Sequence, residues 1–343
     1  GQRIINSDHI LGLQDFPKSI LLLGLKDFPK SILIVGAGIV GCEFATIFAN
    51  FGRTQVHVLD SRNRVVPFED DDVSDFVDRN LSETSVKIHH EASLRKIYKR
   101  DEHIDVVLDY EDGHTEVILV DTILVSIGRV PNTSDLGLEN TNVKVDKRGI
   151  IEVNKKCKAD DGIYAVGDIS GNMALVNVAE MEGRFAAKAI KSKIKFPISY
   201  NNMATIMFFK PEISGIGMTE KECREKNIAY QVITYNHSII PRAIAMRATG
   251  GFFKIITTKE ENPLILGIRA AGPQSNAAVI FIATNIDSNI RLKDMMKTVH
   301  PHPSMSEGIQ ECLRIISHKS ILKPKAFPNE IKFSSWEPEE EAQ

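Results

Sequence analysis

Gly36-Ala37-Gly38-Ile39-Val40-Gly41 sets three glycines at the spacing G-x-G-x-x-G, directly after an apolar run and at the mouth of a helical one. A loop of this kind holds the pyrophosphate of a dinucleotide. The first glycine permits the tight turn, the second lets the phosphates approach the backbone, the third allows close helix packing, and the helix N-terminus faces the negative charge. The same chemistry needs an acidic side chain about 20 residues on, at the end of the next strand, to bond the ribose hydroxyls. Asp60, which closes the run Val56-His57-Val58-Leu59, stands there. An acid at this point disfavours the extra phosphate of NADP, so NAD is the expected cofactor. Arg62 and Arg64 keep NADP open as the alternative.

A second set of reactive types lies near the C-terminus, where His300-Pro301-His302-Pro303 precedes Glu307. An imidazole with a pKa near 6.5 exchanges protons at neutral pH, and a carboxylate partner stabilises its cation. A metal would require His300 and His302 to face one ion, and the two prolines stiffen an extended arrangement that points them apart; no metal site is expected. The acidic run Glu69 to Asp72 also resembles a metal site. At the entrance to a helix it is better read as complementing the helix dipole. Cys42, Cys157, Cys223 and Cys312 form neither CxxC nor CxxxxC, so they read as core thiols in a reducing compartment.

The elements that must position these residues alternate. Ser31 to Val35 and Gln55 to Leu59 read as strands, and Ile39 to Phe51 and Val73 to Leu81 as helices, which is the opening of a βαβ sheet. Leu94 to Tyr98, Ile104 to Asp109 and Glu116 to Val120 read as a small antiparallel insert with a turn at Asp112-Gly113. Thr122 to Ile127 closes the first unit as a buried strand. Ile150 to Lys195 repeats a strand, Gly-Asp and helix arrangement. From about Ile198, strands around Glu212, Gln231, Phe253 and Ile265 alternate with helices near Lys221, Asn276 and Glu307, an α+β pattern. The acidic, proline-containing tail after Lys323 is expected to be loosely ordered. Leu11 to Leu22 is repeated at once as Leu23 to Ile34, with ten of twelve positions identical. Two copies are too few for a solenoid, so the second copy is expected to carry the strand and the first to be an extra loop or added strand.

The chain has 343 residues, of which 43% are hydrophobic and 25% charged, with a formal charge of -3. That suits roughly two or three domains of about 100–200 residues. It offers no general field for nucleic acid or an anionic membrane. No segment approaches the roughly 18 apolar residues of a span, and the opening residues lack a secretory signal. The expected location is the cytoplasm, or the mitochondrial matrix in a eukaryote.

Three further blocks follow in order: Ile127-Gly128-Arg129-Val130-Pro131-Asn132, Gly162-Ile163-Tyr164-Ala165-Val166-Gly167-Asp168, and His300 to Glu307. With the loop at Gly36, and with Lys210-Pro211-Glu212, Met218-Thr219-Glu220 and Pro241-Arg242-Ala243, they resemble the pyridine nucleotide-disulfide oxidoreductase family, dihydrolipoamide dehydrogenase-like, over nearly all of residues 25–322. The resemblance implies an α/β fold: a Rossmann-type NAD-binding domain (1–149), a partial FAD-binding domain (150–198) and a C-terminal α+β dimerisation domain (199–322), followed by a tail (323–343). It implies that Gly36, Gly38 and Gly41 hold the NAD pyrophosphate and Asp60 the adenosine ribose. Gly128 would let the cofactor approach near the domain junction, and Glu43 would stand beside the nicotinamide. Gly167 and Asp168 would meet the FAD ribityl chain, with backbone amides of the helix starting near Ala174 facing the flavin. His302 and Glu307 would form a catalytic pair reaching the other subunit of a homodimer, the carboxylate orienting the imidazole that shuttles a proton to and from the substrate thiol.

The family's first G-x-G-x-x-G and redox Cys-x-x-x-x-Cys do not occur in these 343 residues. The expectation is therefore the C-terminal two-thirds of such an enzyme, binding FAD poorly alone. Two alternatives stay open. One is a soluble pyridine nucleotide transhydrogenase, which resembles the chain at Arg3 to Asp8 and in the helix after Gly41 but has no need of His302. The other is a non-catalytic, nucleotide-binding and dimerising remnant.

Overall fold

A computed structural model describes residues 4–6, 28–191, 197–200 and 202–338. One compact unit runs through Ile127 and resumes at Ala204, and the other is Gly128–Met203.

In the first unit, β1 (Ile4–Asn6), β2 (Ser31–Val35), β3 (Gln55–Leu59), β4 (Lys87–His89) and β8 (Thr122–Val125) form a parallel sheet in the order β1-β8-β2-β3-β4. Strand β2 is apolar from Ile32 to Val35 because both faces of a parallel sheet are covered. Ile32 and Ile34 point to one face, where Cys42, Ala45 and Phe48 of α1 (Ile39–Phe51) and Val73, Phe76 and Val77 of α2 (Asp71–Glu83) meet them. Leu33 points to the other face. There the antiparallel insert of β5 (Ala92–Lys99), β6 (Ile104–Tyr110) and β7 (Thr115–Val120) supplies Val106, Leu108, Ile118 and Val120. The insert takes the place of a second helical layer. The second copy of the repeat carries β2 as expected, while the first copy lies outside the described residues. Strand β1, pairing Ile4–Asn6 with Ile123–Val125, was not read from the sequence, since three residues give too short a period to detect.

The Gly128–Met203 unit holds the pair β9 (Lys158–Asp160) and β10 (Ile163–Tyr164), a 3-10 turn at Gly167–Ser170, and α3 (Val176–Lys191). After Ala204 come β11 (Thr205–Met207), β12 (Ile213–Gly217), α4 (Glu220–Glu225), β13 (Tyr230–Asn236), α5 (Pro241–Ala245), β14 (Phe252–Thr257), β15 (Ile265–Ala271), α6 (Ser275–Asp287), α7 (Leu292–Met295), α8 (Ser306–Ile316) and β16 (Ile331–Trp336). The six strands form an antiparallel sheet in the order β11-β12-β15-β14-β13-β16. Val279 and Ile282 of α6 and Ile309, Cys312 and Leu313 of α8 share a core with Ile233, Phe253 and Ile268 of the sheet.

The tail corrects an expectation. Residues Ile331–Trp336 are an edge strand in register with Tyr230–Tyr235, not loosely ordered chain. Ile331 is buried and Trp336 stacks on Tyr230 at 5.8 Å. The apolar anchors outweigh the acidic composition that follows them, and residues 339–343 lie outside the described residues.

The acidic run does stand at the start of α2, with Asp70 at the N-cap and Asp71 and Asp72 in the first turn. It also does more than complement a dipole. Asp70 accepts from the Glu220 and Lys221 amides at 3.0 and 3.2 Å. Lys254 Nζ lies 2.6 Å from Asp72, 2.7 Å from Glu220 and 3.0 Å from Asp70, and is only 1% exposed. Burial works against the Lys254 charge, but Asp72, Asp70 and Glu220 outweigh it and hold the ammonium above its ordinary range. Glu69 pairs with buried Arg269 at 2.7 Å. These carboxylates converge on an ammonium and a guanidinium, and they join α2 to the antiparallel sheet.

Candidate functional site

The glycine loop spans the end of β2 and the start of α1. Gly36 has φ +104, and a Cβ there would stand 2.7 Å from Ser126 O. A Cβ on Gly41 would stand 1.9 Å from Gly36 O. No side chain fits either position without moving backbone. At Gly38 a Cβ would meet nothing within 4 Å, so that glycine leaves open space at the α1 N-cap, where no side chain caps the helix. Free first-turn amides and room beside them are what a pyrophosphate requires. Ser126 Oγ donates to Val35 O at 2.9 Å and to Gly36 O at 3.1 Å. This contact fixes the loop and was invisible without the pairing of β8 with β2.

Asp60 follows β3 directly. Its Oδ2 accepts from Ala37 N at 2.8 Å and its Oδ1 from Arg62 N at 3.0 Å. The carboxylate thus ties the second strand to the glycine loop and fixes where a ribose hydroxyl would donate to it. Arg64 is occupied by Asp71 and Asp75 and by the carbonyl of Asp71. Among the described residues, that leaves Arg62 as the arginine beside Asp60 with no carboxylate partner. Glu43, half-buried on α1, accepts from Phe208 N at 3.1 Å. Burial raises its carboxyl pKa, and that bond opposes the rise.

In the Gly128–Met203 unit, Gly128 has φ +120 and open space around its missing Cβ. Arg129 and Asp168 approach to 3.9 Å, bringing the Gly-Arg-Val-Pro-Asn and Gly-Asp blocks together. Gly167 takes φ +74, with a Cβ position 3.1 Å from Ala179 Cβ. Its amide donates to Glu182 Oε2 at 2.6 Å, and Asp168 beside it keeps a half-exposed carboxylate. The sequence reading did not single out Glu182. Its signal was an acid on the buried stripe Val178, Glu182, Ala186 of α3.

His302 and Glu307 do meet. His302 Nδ1 lies 2.8 Å from Glu307 Oε1, and Glu307 Oε2 accepts from Ser304 N at 2.7 Å. The second bond ties the carboxylate, in the first turn of α8, to the backbone just before the helix and holds it still. Burial alone would raise the Glu307 pKa, but the bonds from His302 and Ser304 outweigh it and lower it. With Nδ1–H donating to the carboxylate, Nε2 is the basic ring nitrogen, on a side chain that is 71% exposed. His300 is different: its ring packs edge-on against Phe281 at 5.3 Å and its Nε2 is buried without a partner among the described residues.

A glycine loop tied to an acid at the end of the next strand of a parallel sheet, followed by an antiparallel sheet and helices, defines a Rossmann-type fold. The chain belongs to the pyridine nucleotide-disulphide oxidoreductase family: the family's model matches residues 2–183 and that of its dimerisation domain matches residues 203–313. That family comprises FAD-dependent enzymes using NAD(H). A dihydrolipoyl dehydrogenase of Bacillus subtilis (strain 168) is 30% identical over 316 residues, covering 92% of this chain and 64% of the relative. A dihydrolipoyl dehydrogenase of Buchnera aphidicola is 31% identical, covering 90% and 62%. Among solved structures, LpdA of Mycobacterium tuberculosis superposes with a TM-score of 0.77 at 27% identity, covering 85% of this chain and 62% of that one. The Cu(II) complex of the flavoprotein disulfide reductase RclA of Escherichia coli gives 0.79 at 27%, covering 91% and 67%. The chain therefore spans a little under two-thirds of the dihydrolipoyl dehydrogenases it matches. Among the described residues no helix is long and apolar enough to cross a membrane.

Proposed function

We propose that this chain serves an FAD-dependent oxidoreductase that passes hydride between NAD(H) and a dithiol or disulfide such as dihydrolipoamide, working as a homodimer. The observation that carries this reading is the 2.8 Å bond between His302 and Glu307. A fixed carboxylate on Nδ1 selects the tautomer with a basic Nε2 and stabilises the imidazolium formed when that nitrogen takes a thiol proton. The open Gly38 amides and Asp60 support NAD, with residues up to 149 as its segment. Asp168 and the first-turn amides of α3 suit the hydroxyls and ring edge of FAD, with 150–198 as the flavin segment. Flavin, when bound, supplies the two-electron relay. The match to a dimerisation domain supports a two-fold assembly in which His302 serves the neighbouring subunit's site.

The test, made on a chain that also carries the family's first G-x-G-x-x-G and redox Cys-x-x-x-x-Cys, measures NADH oxidation by lipoamide, and NADH oxidation by an NADP analogue, with FAD added. Replacement His302→Ala is expected to lower the first rate by more than about tenfold, since positioned proton transfer contributes roughly 10²–10⁴, and to leave NAD binding intact. An unchanged lipoamide rate removes the role of His302. Activity with the NADP analogue and none with lipoamide would replace this reading by transhydrogenation.

A further inference from the structure

We infer that Glu182 is a positioning residue for the flavin, holding the Gly167-Asp168 turn in the conformation that presents Asp168 to a bound polyol. The inference rests on the flavin reading above and concerns a side chain that touches no cofactor itself.

Glu182 is completely buried. Its three donors are neutral: Gly167 N at 2.6 Å on Oε2, and Tyr200 Oη at 2.6 Å and Asn172 Nδ2 at 3.0 Å on Oε1. A buried acid held this way is kept for what it organises, because burying a carboxylate without a cation is unfavourable unless every lone pair finds a donor. What it organises is one glycine. Gly167 O accepts from Ser170 Oγ at 2.8 Å, while Glu182 takes its amide. Both polar groups of Gly167 are thereby fixed from the protein side. The residue is held at φ +74 with Ala179 packed against it. The next side chain, Asp168, is left half-exposed with its direction set by the turn. Asn172 joins the two halves, since its Nδ2 also lies 3.4 Å from Ser170 Oγ. Burial and the bond to Glu182 raise the Tyr200 pKa, so the phenol remains a donor across the working pH range.

The variants separate reach from charge. Glu182→Gln keeps an oxygen within reach of the Gly167 amide and loses the charge. Glu182→Asp keeps the charge and loses the reach. FAD affinity is read by quenching of flavin fluorescence on the whole chain, and hold on the turn by amide exchange of residues 163–171. The expected order is Gln close to the parent and Asp about tenfold weaker, the value of one lost hydrogen bond, with faster exchange confined to the turn. Glu182→Ala should weaken binding at least as much as Asp. If Ala does not fold, the order of Gln against Asp still decides. Asp binding as well as the parent, or Gln binding worse than Asp, overturns the inference. If the parent itself binds no FAD, the flavin reading fails separately. Exchange then decides whether Glu182 holds the turn: faster in Asp than in Gln upholds that role, and no difference ends it.

Discussion

The loop at Gly36–Gly41 and the pair His302–Glu307 are built from different materials. The loop is backbone: its chemistry comes from missing side chains, and its tolerance is set by distances of 1.9 and 2.7 Å to neighbouring carbonyls. The pair is two side chains, one largely exposed, whose relation depends on a single bond and on the amide of Ser304 donating to Glu307. A backbone site fails by steric collision and takes the fold with it. A side-chain site fails by lost chemistry and leaves the fold standing.

The sharpest way to break that contrast is within the loop itself. Gly41→Val, forced onto the Gly36 carbonyl, should destabilise by about 3 kcal/mol or more and leave no measurable NAD binding. Gly38→Ala has open space, so its thermal midpoint should stay near the parent's while NAD affinity drops. Equal stability losses in the two variants would show that the loop's glycines are not divided in this way. Next in size is the junction behind the loop. Lys254→Met strands Asp70, which is only 4% exposed, and should cost about 3–5 kcal/mol in denaturant unfolding. A loss below about 1 kcal/mol would mean that the carboxylates rehydrate or protonate at little cost.

A smaller, graded effect separates buried from exposed histidines. Burial lowers His89 and His237 to about 4, and His57 in the same direction. His57 Nδ1 bonds His89 Nε2 at 2.9 Å, and the His89 ring goes on to Tyr110 Oη and Glu116. His237 has no partner for either nitrogen among the described residues. For a histidine whose folded pKa is depressed, the unfolded chain binds the proton first. Stability is then complete above about 6.5 and falls as pH drops towards 4, by about 1.4 kcal/mol per pH unit for each such group. His90, raised chiefly by its bond to Asp78, acts in the opposite sense. The denaturation midpoint should therefore fall between pH 6.5 and 4. His237→Phe, which fills the site without a titrating nitrogen, should flatten part of that fall. An unchanged slope would mean that His237 finds a partner in solution.

Much of this molecule was readable from composition and period. Ile39–Phe51 and Gln55–Leu59 occur with the bounds the pattern gave, because a buried parallel strand and the helix behind it carry long, regular apolar signals. The Gly-x-Gly-x-x-Gly spacing and Asp60 were legible for a similar reason: both lie within one βαβ unit, where sequence distance fixes spatial distance. His302 and Glu307 are five residues apart, so one helix start is enough to bring them together. Residues Ile331–Trp336 misled the reading because the partner strand that orders them, Tyr230–Asn236, lies about a hundred residues away.

What sequence alone determined is thus the set of local units and the chemistry each can offer, since backbone sterics and the acid, base and hydrogen-bonding types of side chains are properties of short segments. Tertiary structure decided which charges face one another. Lys254 among Asp70, Asp72 and Glu220, Arg269 against Glu69, and Glu182 beneath Gly167 are contacts between segments whose separation in sequence carries no period. A carboxylate on a helix reads the same whether it meets water, an ammonium or an amide. Only the packing that removes water from it selects its partner, and with that its role.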